Sequence, residues 1–197
     1  MEQISLRDYC EEARSLIQSG QPDKAIHFTR RILSHYPRHV ESYRLLGQAL
    51  LAKGNYPEAA KQFRRVLSVD PEDATSRAGL AEVHEAAGDP DKAIWYMQRA
   101  VELSPGDTGL RAQLGQLINA RQGGDAPERI EITRVALGRI HTRSGLYAKA
   151  IQEYKAALTQ DPDRMDVRAA LAEALWRAGR YAEAARASQH VIEKLPN

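Results

Sequence analysis

With 197 residues, of which 43% are hydrophobic, 27% charged and 6% aromatic, the chain could make one or two ordinary domains or one elongated array, and composition alone does not choose. Its 28 basic and 26 acidic residues give a formal charge of +2 and are spread along the whole length, which leaves no dense cationic stripe and argues against nucleic acid as a partner. Cys10 is the only cysteine, so neither an intrachain disulfide nor a thiolate metal cage is available, and no stretch approaches the roughly 18 apolar residues of a membrane span.

The opening, MEQISLRDYCEEARSL, has neither a basic n-region nor an uninterrupted apolar h-region, and a soluble cytoplasmic protein is the expectation. Alanine, leucine, arginine and glutamate dominate and alternating β-branched runs are missing, so the chain is expected to be all helical. From Leu6 a helix runs to Gly20, and a second opens at Pro22 and is stopped before Pro37. The same phrase returns from Val40 and again from Ala74. Gly20, Gly54, Gly88, Gly145 and Gly179 are separated by 34, 34, 57 and 34 residues, and Ala25, Ala59, Ala93, Ala150 and Ala184 keep the same intervals, as do Pro37, Pro71, Pro105, Pro162 and Pro196. Each column has a mechanical reason. The glycine ends a first helix in the left-handed conformation, the alanine lets a second helix approach closely, and the proline stops that second helix.

The unit VESYRLLGQALLAKGNYPEAAKQFRRVLSVDPED, from Val40 to Asp73, resembles a tetratricopeptide repeat, with Tyr43, Leu46, Gly47, Leu50, Ala59, Phe63, Val66 and Pro71 in the signature places. Units 6–39, 74–107, 131–164 and 165–197 match less completely, departing at Glu12, Thr29, Arg77, His84, Arg134, His141, Arg168 and Ser188, which should weaken individual helix contacts. The resemblance implies an all-α, right-handed α-solenoid of stacked antiparallel helix pairs, acting as a non-catalytic scaffold that binds a peptide or extended protein segment in its concave groove.

Between the third and fourth full units the pattern restarts at Thr108, with Leu114, Gly115 and Ile118 in first-helix places, and resets after 23 residues instead of 34. Gln122-Gly123-Gly124-Asp125 reads as a turn, and Asp125 with Glu128 makes a capping-box-like start for a helix expected from about Ala126 to Arg143. Either residues 108–121 cap the first three units and the last two form a separate stack, or the long helix replaces the lost one and the array continues with a kink. Continuity is the expectation, over a separate stack or a flexible linker, because a two-repeat stack alone would be marginal.

Carried over from the family, the inward places of the first helices include Arg14, Arg44, Gln48 and Glu82 toward one end and Arg139, Arg143, Trp176 and Arg177 toward the other, and these are the expected partner-binding residues. The second group would set an aromatic face beside planar donors that grip a carboxylate. Arg14 with Arg44 makes a weaker basic patch. Trp95 falls where the family usually has a solvated residue on a second helix, and a contact on the convex side is the alternative reading there. The family's clamp for acidic chaperone tails is missing its lysine and asparagine: the matching places hold Cys10, Arg14, Leu45, Thr75 and Gly79, so such a tail is not the expected partner. His84 and His141 lie in different units and are expected to pack rather than ligate, and no nucleophile, metal or cofactor constellation stands out, so no metal, no cofactor and no catalysis are expected. A second reading is self-assembly through uncapped ends of the array, homo-oligomeric through the C-terminal end, in a chain that is a piece of a longer protein.

Overall fold

The computed structural model describes residues 5–123 and 130–194. Among them there are α-helices and no strand: α1 (Leu6–Gln18), α2 (Pro22–His35), α3 (Val40–Ala52), α4 (Tyr56–Val69), α5 (Ala74–Ala86), α6 (Pro90–Leu103), α7 (Thr108–Gln122), α8 (Arg134–Arg143), α9 (Tyr147–Gln160), α10 (Met165–Arg177) and α11 (Tyr181–Lys194). None of these helices is long and apolar enough to cross a membrane. Gly20, Gly54, Gly88, Gly145 and Gly179 all stand at φ between 70 and 79°, ending α1, α3, α5, α8 and α10 as the column predicts. Pro22, Pro57 and Pro90 open α2, α4 and α6, where the donor that proline lacks has no intrahelical partner to lose.

The chain forms two compact units. The first comprises the described residues of Met1–Val101 and Asp107–Glu128, the second those of Glu102–Gly106 and Arg129–Asn197. In the first, α3 packs against α2 and α4, and α5 packs against α4, so hairpins stack in chain order. Their core joins Ala25, Ile26, Leu46, Leu50, Ala59, Phe63 and Leu80. Phe63 is fully buried and fills the space left by two glycines: a Cβ on Gly47 would lie 2.7 Å from its ring, and one on Gly79 only 2.3 Å. In the second unit α10 packs against α9 and α11, and Ile151, Tyr154, Val167, Leu171 and Leu175 make a separate core. Tyr154 repeats the arrangement of Phe63, since a Cβ on Gly138 would stand 2.4 Å from its ring.

The helix expected from about Ala126 begins later. Residues 130–133 are not helical, and Thr133, at φ −67° and ψ 157°, caps α8 by accepting from the Ala136 N–H at 3.2 Å. The run Ile130-Glu131-Ile132-Thr133 carries three β-branched residues, poor helix formers, and its threonine competes for the backbone. The capping box expected of Asp125 and Glu128, with Pro127 between them, lies outside the described residues.

Candidate functional site

In the first unit α1, α3 and α5 lie side by side, and the residues they share on one face are joined by charge. Arg14 Nη2 on α1 donates to Glu41 Oε1 at 2.8 Å; Arg44 on α3 grips the other Glu41 oxygen and reaches Asp73 Oδ2 at 2.5 Å. Asp73 is itself buried and caps α5, its Oδ1 accepting from the Ser76 N–H at 2.6 Å. The basic patch expected of Arg14 and Arg44 is therefore an alternating ladder, because each guanidinium finds a carboxylate one helix away. Sequence reasoning missed Asp73, whose Asp-x-x-Ser spacing to Ser76 is an N-cap signal. Cys10 sits below the ladder, buried against Ala13 and Leu45, and burial pushes its thiol up, outweighing the Ser42 hydrogen bond and nearby Arg14.

Farther along the same helices are Gln48 and Glu82, one repeat apart in the same register and both half-buried. Glu82 differs from the ladder carboxylates in meeting no cation among the described residues. Burial pushes its carboxyl above the ordinary glutamate range, and the neighbouring Glu85 adds to that. A partly desolvated carboxylate in this state is stabilised by any cation brought against it.

The second unit holds the other expected residues. Arg139 is half-buried on α8, whereas Arg143 Nη2 donates to the Leu103 carbonyl oxygen at 2.7 Å. Reversing the charge at Arg143 would remove that bond, so the substitution cannot separate binding from stability. Arg177 is occupied as well: the Tyr147 hydroxyl and the Glu173 carboxylate, the latter at 2.9 Å, hold it firmly protonated. Trp176 is 62% exposed and lines a groove of about 580 Å³ with Ala172, Tyr181, Ser188, Val191 and Ile192, on the outer side of the α10–α11 hairpin. Trp176 thus faces the groove, while Arg177 is held by Glu173 and Tyr147 and Arg143 by the Leu103 carbonyl. The same unit holds a polar cluster that sequence reasoning missed. Arg164 donates to Glu102 at 2.7 Å and Asp166 at 2.6 Å, and the Thr133 hydroxyl also reaches Glu102. Burial opposes the Arg164 charge, but Asp166 and Glu102 more than offset it and keep the guanidinium protonated. Arg164 and Glu102 stand 62 residues apart, which no local spacing reveals.

His84 stacks on Tyr96 with ring centroids 5.3 Å apart, as expected of a packed histidine, and among the described residues no three His, Cys, Asp or Glu side chains gather as a metal site. Trp95 is 46% exposed on α6, edge-on to Tyr96 and under the Arg99 guanidinium. Of the places matching the chaperone-tail clamp, Leu45 is fully buried and a Cβ on Gly79 would collide with Phe63, so neither can present a polar group.

Two family models, both described as tetratricopeptide repeat, match the chain, one over residues 10–67 and 49–108 and the other over 141–197. No curated protein matches it in sequence. Among solved structures it is similar to TTC0263, a thermophilic tetratricopeptide repeat protein of Thermus thermophilus, at 22% identity and a TM-score of 0.54, with 87% of this chain and 100% of that one covered. A chain of the Naa15/Naa10 complex bound to HypK-THB aligns at 18% identity and a TM-score of 0.51 over 97% of this chain, which spans 25% of that one. A crystal structure of MamA aligns at 19% identity and a TM-score of 0.49, covering 97% and 95%.

Proposed function

Because the chain belongs to the tetratricopeptide repeat family, whose members are generally non-catalytic scaffolds for protein interaction, we propose that it holds an extended, basic segment of another protein against the shared face of α1, α3 and α5. One observation carries this reading: Glu82 is a half-buried carboxylate without a cation among the described residues, while Glu41 and Asp73 on the same face are both paired with arginine. A lysine or arginine of the partner completes it. Gln48, in the same register, offers an amide to the partner's backbone, and the Arg14–Glu41–Arg44–Asp73 ladder can exchange one internal ion pair for a partner's charge.

The test is an array of 12-residue extended peptides, half rich in lysine and arginine and half rich in aspartate and glutamate. Basic peptides are expected to be captured, and Glu82→Gln to weaken that capture by about tenfold or more. The same variant has a stability signature. With its pKa raised, folded Glu82 holds a proton to higher pH than the unfolded chain does, so its ionisation costs stability as pH rises past the ordinary glutamate range. Glu82→Gln is therefore expected to melt higher than the parent near neutral pH and to match it in acid. Equal capture of acidic and basic peptides, or unaltered capture by Glu82→Gln, would sink the reading.

A further inference from the structure

In three hairpins the second helix presents the same row of residues to the helix that follows it. On α2 the row is Ala25, Ile26, Thr29 and Ile32; on α4 it is Ala59, Ala60, Phe63 and Val66; on α9 it is Ala150, Ile151, Tyr154 and Ala157. None of these is more than 9% exposed. In the corresponding register α11 carries Ala184, Ala185, Ser188 and Val191, with Ile192 next to them. Here only Ala184 is buried, and Ile192 is 70% exposed. Together with Trp176 and Tyr181, 62% and 64% exposed, they leave an apolar surface of a kind that monomeric proteins seldom display.

What fits such a row can be read from the helices that already cover it. The covering stripes are Ser42-Leu45-Leu46-Ala49 on α3, Ser76-Gly79-Leu80-Val83 on α5 and Val167-Ala170-Leu171-Ala174 on α10, all buried. Each follows the i, i+3, i+4, i+7 spacing of one helix face, with leucine at i+4. The size of the i+3 residue is set from below. Phe63 stands against Gly79, and Tyr154 shares one core with Ala170. On α11 that aromatic is replaced by Ser188, and the room it would take is part of the 580 Å³ groove. The complementary helix therefore exchanges sizes, presenting a bulky apolar residue at i+3 where α5 has glycine.

We propose that the outer face of α10 and α11 docks an amphipathic helix of another protein that bears a bulky apolar residue immediately before its central leucine. A second copy of this chain does not supply that helix head to tail. In the covering register α1 carries Asp8, Glu11, Glu12 and Ser15, all exposed, and seating three carboxylates on Val191 and Ile192 would strip their water without offering a partner.

The probe is a stapled helical peptide with the 73–87 sequence of this chain, dye-labelled and read by anisotropy, in its native form and with Gly79→Phe. The Gly79→Phe peptide is expected to bind at least about tenfold more tightly than the native one. Ile192→Asp in the protein should abolish binding while keeping the parent's melting profile, since that side chain is mostly in solvent. Ser188→Phe, which refills the pocket, should reverse the preference between the two peptides. Equal affinity for both peptides, or binding that survives Ile192→Asp, overturns the proposal. So does a parent protein that sediments as a dimer and becomes monomeric on Ile192→Asp, because a second copy would then own the groove, and so does a form of this chain with further residues after Asn197 that shield Ile192 from solvent and block the peptide.

Discussion

Phe63 shows how a single side chain decides its neighbours' identities. Its ring touches glycines on two successive first helices, Gly47 from its own hairpin and Gly79 from the next, and both would lose contact distance to any Cβ. Gly79→Ala is expected to cost about 1–3 kcal/mol in chemical denaturation, through overpacking, even though alanine is the better helix former. Gly106→Ala, where an added Cβ meets nothing within 4 Å, should be close to neutral and serves as the control. Gly47 is recognisable from the family pattern, but Gly79 is not, since it occupies a different place in its unit and only the neighbouring ring explains it. Arg77 and Arg168 correct the sequence reading in the other direction. They replace the tyrosine of the best unit, a departure that predicts weaker packing there. Instead each guanidinium donates to the carbonyl of the proline six residues earlier, at 2.8 Å, as the Tyr43 hydroxyl does to Pro37 at 2.9 Å. The contact needs a donor on a long arm, and arginine supplies one as well as a phenol does. Thr29, another departure, is wholly buried and satisfies its hydroxyl on the Ala25 carbonyl at 2.7 Å.

Among the elements, α8 carries the sharpest lesson. Its start depends on one hydroxyl, because the residues before it are β-branched and the backbone N–H groups of its first turn have no intrahelical acceptor. Thr133→Ala is expected to destabilise the second unit by about 0.5–2 kcal/mol and to lengthen fraying at Arg134–Ala136, which amide hydrogen exchange would detect. Valine at the same place tests the cap alone, as it keeps the branching and loses the acceptor; a helix that starts unchanged in Thr133→Val would show that packing, not capping, sets the boundary. The Thr133 hydroxyl also reaches Glu102, so Glu102→Gln should leave the cap intact while loosening the Arg164 cluster. Other helix ends are legible in the chain itself. Glycine, proline and Asp or Ser caps act within one turn, so their signals are written next to the boundaries they set, as with Ser5 and Asp8, which cap each other at the start of α1.

On the scale of the molecule, stacked hairpins divide stability by neighbour: a helix packed on both sides loses more on opening than one packed on a single side. Within the first unit α3 lies between α1, α2, α4 and α5, and in the second α10 lies between α9 and α11, whereas α11 packs chiefly on α10. Native-state hydrogen exchange is expected to find the slowest amides of each unit in α3, α4 and α10, and the amides of α11 exchanging well before those of α10. Equal protection along α10 and α11 would mean that something already covers the outer groove.

The repeat itself follows from the order of residues. Glycine, alanine and proline columns act through steric limits on their own backbone and the next helix, so their period dictates where those helices stop and which helices pair. Where charges meet was decided only by folding. Arg14 finds Glu41 across 27 residues and Arg164 finds Glu102 across 62, while Glu82 is left without a cation among the described residues and Arg143 is diverted to a backbone carbonyl. Long side chains choose partners by distance in space, and stacking brings together residues that no spacing along the chain marks as neighbours.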